Sequence, residues 1–202
     1  MCGTPGKGYH VQQRDSTLGH GQAAMKPFAS LTAHGQVRRL HAVALNALAA
    51  YDLNIRDIHS EGMFTNAIFR LRTSDGQRYA LRICRPGWRS DIDLFSEATW
   101  LQAQARETDI GAPVPLAARN GEVIVTAGAE GVPEPRRCAI TTWIAGSPLR
   151  KCLTPGNLYK MGALLAQLHQ HAATFTPPPG FTRRRLDRIL ARGEQDVLFD
   201  AS

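Results

Sequence analysis

The sequence predicts an α+β fold, helices packed on a mostly antiparallel sheet, and two features of the chain predict it. Three stretches carry apolar residues at three- and four-residue steps, as amphipathic helices do, and short runs alternating at a period of two separate them. The alternating runs are punctuated by Ser74-Asp75-Gly76 and Asn120-Gly121, tight-turn sequences in which glycine accepts the positive φ that reverses a strand.

Taken in order, Val37, Leu40, Ala44, Leu48 and Tyr51 form the stripe of a first helix within residues 32–51. Extended segments follow at 55–59, 66–73 and 77–84, the last two joined as a hairpin at Gly76. A second helix is expected over 92–106, capped by Ser90 or Asp91, with Leu94, Ala98, Leu101 and Ala105 as its stripe and Gly111 and Pro113 beyond its end. Residues 114–118 and 122–126 flank Asn120-Gly121 as a second hairpin, and 138–144 form a further strand that stops at Gly146. Thr154 followed by Pro155 reads as a cap with proline in the first helical position. It opens a third helix through Leu158, Met161, Leu165, Leu168 and Ala172, which Pro177-Pro178-Pro179-Gly180 ends.

With 202 residues, 43% of them hydrophobic, the chain can bury a core of its own. Residues 1–27, rich in Gly, Gln, His and Ser, lack apolar periodicity and are expected to form a loose tail, inside which Met25 offers an alternative start. The net charge of +7 suits anionic partners without choosing among them. Four widely spaced cysteines with no Cys-x-x-Cys pair argue against a zinc or thioredoxin-type site and for reduced, structural thiols. His169 and His171, two apart on a helix, point to different sides, and no metal is assigned to protein ligands. No secretory-type apolar run opens the chain and no stretch has the length of a membrane span, so a cytoplasmic protein with no membrane partner is expected.

Strand alternation sets Tyr79, Leu81 and Ile83 on one face and Ala80, Arg82 and Cys84 on the other, which fixes a cation in mid-strand. Glu97 lies in or beside the stripe of the second helix, where an acid needs a partner. If helix and sheet pack together, Arg82 and Glu97 form an ion pair that directs the guanidinium at a bound phosphate; the plainer alternative is a snorkelling arginine and an edge-of-stripe glutamate. The loop 60–66, with Gly62 as its only glycine and Asn66 at its end, suits either an ordinary turn or backbone cover for a nucleotide's phosphates. Thr142, Trp143 and Ile144 leave a strand for a loop, either as a plain terminus or with backbone groups free for an adenine edge.

Four stretches in this order carry a family resemblance: 79–87 (YALRICRPG), 96–101 (SEATWL), 143–146 (WIAG) and 164–169 (LLAQLH). Together they resemble the aminoglycoside phosphotransferase family, in particular its homoserine kinase type II and choline kinase-like branch. The resemblance implies a protein-kinase-like small lobe over 28–147 and, over 148–202, the hinge exit and first helix or helices of an incomplete helical lobe. It implies that Arg82 stands for the phosphate-directed lysine, Glu97 for its helix partner, Gly62 and Asn66 for the phosphate loop, and Thr142, Trp143 and Ile144 for the adenine-binding hinge. ATP is the implied cofactor with Mg2+, and a small-molecule hydroxyl the implied acceptor in a complete homologue.

The family's catalytic loop places an aspartate five residues before an asparagine. Here the residues five before Asn46, Asn54, Asn66, Asn120 and Asn157 are His41, Ala49, Glu61, Pro115 and Cys152. Beyond the hinge the only aspartates are Asp187, Asp196 and Asp200, so the magnesium-binding set is missing as well. The expectation is a truncated phosphotransferase that grips nucleotide and is inactive alone. The alternative is a non-catalytic nucleotide- or protein-binding module, docking through the third helix. Nucleic-acid binding, which Arg136, Arg137 and the arginines of 183–192 suggest, lacks any accompanying motif and is disfavoured.

Overall fold

The computed structural model describes residues 25–182. A 3-10 turn at Phe28–Ser30 leads into helix α1 (Ala33–Leu48), then strands β1 (Ile55–Met63), β2 (Ala67–Thr73) and β3 (Arg78–Ile83). Helix α2 (Asp91–Glu107) follows, then β4 (Val125–Ala127), β5 (Arg136–Thr142), a 3-10 turn at Leu149–Lys151 and helix α3 (Pro155–Thr174). The strands form one sheet in the order β1-β2-β3-β5-β4, with every neighbouring pair antiparallel.

The two faces of that sheet follow from its period-two pattern. Phe69 and Leu71 of β2, Leu81 and Ile83 of β3 and Cys138 and Ile140 of β5 pack with Leu40, Val43, Ala44 and Ala47 of α1 and with Tyr51 beyond it. Thr32 starts α1 where the sequence places it, its Oγ1 accepting the Gly35 N–H at 3.2 Å. α2 meets the opposite face, through Arg82 and Arg137, whose neighbours along the strands point to α1. A reciprocal capping box fixes its first turn: Ser90 Oγ accepts the Asp93 N–H, and Asp93 Oδ2 accepts the Ser90 N–H.

Several expectations need correction. β1 does not stop at His59; a bulge lets it pair with β2 as far as Met63, so the expected loop 60–66 shrinks to Phe64, Thr65 and Asn66. The turn at Asn120-Gly121 forms, with the Ala118 N–H on the Glu122 carbonyl and Gly121 at φ +85°. Its flanks, however, do not make a strand pair of their own. Both lie along β5, the first through Leu116 N–H to Ile140 O and the second as β4, because the edge of β5 offers each a ladder partner. In α2 the buried positions are Leu94, Ser96, Ala98, Ala103 and Gln104, while Ala105 is exposed. β5 runs from Arg136 to Thr142 and not over the expected 138–144, so Arg136 and Arg137 belong to the strand.

Residues 1–24 of the expected tail lie outside the described residues, as do Arg183, Arg184, Arg185, Arg188 and Arg192. Lys26 is already tied to the fold, its carbonyl accepting from Arg39 Nη2 at 2.5 Å. Thr154 caps α3 through the Asn157 N–H. The stripe of α3 is open to solvent at Leu158, Met161, Leu164 and Leu165, and His171 is the one buried residue of that helix. No helix among the described residues is long and apolar enough to cross a membrane.

Candidate functional site

Arg82 sits in the middle of β3, between Ile68 of β2 and Ala139 of β5. Its Nη1 donates to Glu97 Oε1 of α2 at 2.6 Å, so the pairing inferred from two isolated oddities in the sequence is present. The side chains are 26% and 31% exposed, enough for the pair to be partly desolvated and still reachable by a ligand. Burial works against the charge of Arg82, but the hydrogen bond and charge of Glu97 outweigh it and hold the guanidinium above its ordinary pKa. Burial likewise raises the neighbouring Cys84 thiol, which keeps it protonated and unreactive.

At the β1–β2 end, Gly62 adopts φ +114° within the bulge, and a side chain there would meet open space. The residue is needed for its backbone conformation and not for close packing. Phe64 at the tip is 94% exposed. Asn66 turns inward along the chain, its Oδ1 accepting the Arg85 N–H at 3.1 Å and its carbonyl accepting the Phe64 N–H. Asn66 thus ties the β1–β2 turn to the exit of β3.

At the other end of the sheet, Thr142 pairs with Tyr79, three residues along β3 from Arg82 and so about 10 Å away. The Thr142 N–H donates to Val114 O, and Thr142 Oγ1 accepts the Val114 N–H at 2.9 Å. The Trp143 N–H donates to Arg78 O. Two of the three expected hinge amides are therefore engaged by the fold itself. The Ile144 N–H has no partner among the described residues, and the Ile144 side chain is half exposed.

Two groups near this face escaped sequence reasoning. Arg70 of β2 lies on the Arg82 face, pairs with Glu61 at 3.1 Å and places its guanidinium 5.7 Å from the Trp143 ring centre, so it links the first hairpin to the hinge. The alternation of Phe69 and Leu71 against Ile68, Arg70 and Arg72 was the available signal. His171 of α3 is buried, with Nδ1 accepting from Trp100 Nε1 at 3.2 Å and Nε2 facing Glu107 Oε2 at 3.0 Å. Since Nδ1 accepts, Nε2 carries the proton and donates to Glu107, and one ring clamps α3 onto α2. Helical spacing marks His171 as distinct from His169 but does not say that Trp100 and Glu107, far away in sequence, meet it. No cluster of potential metal ligands occurs among the described residues.

The sheet order, the helix between β3 and β4 and the strand-to-helix ion pair define a protein-kinase-like α+β fold. Residues 58–200 match the phosphotransferase enzyme family (APH), and the chain belongs to that family. Among solved structures it is similar to a microcompartment-associated aminopropanol kinase, 26% identical with a TM-score of 0.61 over 72% of this chain and 44% of that one. It is also similar in fold to the amicoumacin kinase hAmiN in complex with AMP-PNP, Ca2+ and Ami, 15% identical with a TM-score of 0.60 over 76% of this chain and 47% of that one. The chain thus spans less than half the length of either kinase. No curated protein matches it.

Proposed function

We propose that residues 28–147 form the nucleotide-gripping lobe of an ATP-dependent small-molecule kinase, with residues from 148 onward beginning its helical lobe. The 2.6 Å Arg82–Glu97 pair carries this reading. Arg82 directs its remaining N–H donors at the phosphates of ATP, and Glu97 holds the guanidinium in place. The Ile144 N–H and the carbonyls beside it face the adenine edge. Gly62 lets the first hairpin bend over the phosphates, and Asn66 holds that hairpin against β3. Mg2+ enters on the phosphate oxygens. The setting is cytoplasmic, where ATP is available, and the acceptor is a hydroxyl-bearing small molecule.

The 202-residue sequence holds no aspartate five residues before an asparagine, so the developing charge on a transferred phosphoryl group has no protein-held magnesium and the acceptor no base. The polypeptide alone is therefore proposed to bind nucleotide without transferring phosphate. Calorimetry with AMP-PNP and with adenosine tests the binding. Saturable AMP-PNP binding that Arg82→Met weakens by about tenfold, with adenosine little changed, is the expected result. Absence of saturable binding sinks the nucleotide reading, and transfer of labelled phosphate from ATP to an amino alcohol by residues 1–202 sinks the inactivity.

The open stripe of α3 favours a second reading as well. Its leucines and Met161 are positioned to be covered, either by further helices of a family-length protein or by a separate partner.

A further inference from the structure

The segment that follows α3 returns across α2. Ser96 Oγ, which is buried, accepts the Thr182 N–H at 2.9 Å and so clips the segment to the helix one residue before Glu97. Between the two lies a pocket of about 370 Å3, with Glu97 and Trp100 of α2 on one wall and Phe175 and Phe181 on the other. That volume falls within the roughly 300–1,000 Å3 of small-molecule pockets. Neither Arg82 nor residues 142–144 line it.

The walls say what the pocket suits. Phe175 and Phe181 meet edge to face with ring centres 5.3 Å apart, and Trp100 has its Nε1 proton on His171, so what these three residues offer is ring surface. The charges at the rim are of both signs, Arg89 with Asp93 and Glu97, and Arg82 already holds Glu97. A bound cation meets Arg82 and Arg89, a bound anion meets the two carboxylates, and either gives up hydration for an incomplete partner. One acceptor remains open: Arg82 takes Glu97 Oε1, and no described residue donates to Oε2.

We propose that this pocket binds an uncharged aromatic compound with one N–H donor, of the indole type, its ring among Trp100, Phe175 and Phe181 and its donor on Glu97. Offset and edge-to-face contacts among the rings hold the body, and a hydrogen bond to a carboxylate fixes its orientation. Two of the three rings belong to the returning segment, so the occupied pocket ties that segment to the helix that carries Glu97. The site calls on Arg82 only as the partner that occupies Oε1 and does not rest on the nucleotide reading.

The test is a thermal-shift titration of the 202-residue protein, without nucleotide, using indole, benzofuran, which has the same two rings and no N–H, and the anion indole-3-acetate. Indole is expected to raise Tm saturably, with benzofuran about tenfold weaker for want of the donor and indole-3-acetate without effect. Phe181→Ala weakens indole binding by about tenfold. Glu97→Leu brings indole down to benzofuran, a change that looser packing does not single out. The double variant L164Q/L165Q, on the exposed stripe of α3, leaves binding unchanged. The proposal fails if indole gives no saturable rise, if benzofuran or indole-3-acetate matches it, or if Glu97→Leu leaves its advantage over benzofuran intact. It also fails if Phe181→Ala has no effect or L164Q/L165Q an equal one, since the ring then lies on the open stripe and not in the pocket.

Discussion

α1 and α2 flank the same sheet and are held to it by different physics. α1 buries Leu40, Val43, Ala44 and Ala47 against Phe69, Leu71, Leu81 and Ile140, a dry interface whose attraction is non-directional. α2 meets the other face through two ion pairs, Arg82–Glu97 and Arg137–Asp91, is steadied from behind by His171 of α3, and buries a smaller apolar set, Leu94, Ala98 and Ala103, outside the α1 core. Directional contacts of this kind register a helix without sealing it. One face is therefore built for stability, and the other leaves room for a ligand beside a fixed charge.

The largest test of this contrast is Phe69→Ala, which empties a site with no solvent exposure and is expected to cost about 3–5 kcal/mol in urea unfolding. A loss that large from any charge of the α2 face would break the comparison. Next comes alkaline pH. Burial pushes the Cys138 thiol up to about 12 from an ordinary value near 9. The folded chain keeps that proton while the unfolded chain releases it, so the stabilisation is whole below pH 9 and is lost as pH rises towards 12. Each pH unit in that window costs about 1 kcal/mol, and Tyr51, also raised to about 12, adds to the loss above pH 10. Cys138→Ala is expected to flatten the fall of Tm between pH 9 and 11, whatever it costs at neutral pH.

His171→Ala leaves Trp100 Nε1 without its acceptor and removes the link to Glu107, for an expected loss of about 2 kcal/mol. Hydrogen exchange sharpens the reading: amides of α2 and α3 speed up while those of α1 do not, and uniform acceleration would mean that the sheet's two sides are not separately held. The smallest effect belongs to Glu97→Gln, which keeps the shape of the contact and removes its charge. About 1 kcal/mol is expected, with the gap from wild type narrowing in high salt because the pair is partly exposed.

Local signals were legible where neighbours in sequence set the structure. Thr154 caps its helix as read, Ser90 is the cap of the two residues offered for the second helix, and the Gly76 turn joins β2 to β3, because a cap or turn needs only side chains and amides a few residues apart. The Arg82–Glu97 pair was readable because each residue broke its own element's pattern, a cation on a strand and an acid on a stripe. The extent of β1 was not, since the bulge that carries it past Ser60 depends on the partner offered by β2. The flanks of Asn120-Gly121 were misassigned for the same reason: which strand an extended segment joins is decided by the free edge it meets.

By itself the sequence determined the α+β class, the caps and turns, the face of β3 that carries Arg82 and, through ordered short motifs, the phosphotransferase family. Only the tertiary structure decided that Arg137 pairs with Asp91 at the entry to α2, that Arg70 reaches Trp143, that His171 joins two helices and that Arg136 is buried with an unmet donor. The division has one cause. Periodicity and capping act over a few residues, whereas the counter-ion of a buried charge can come from anywhere in the chain, and only the folded path brings it near or leaves it out.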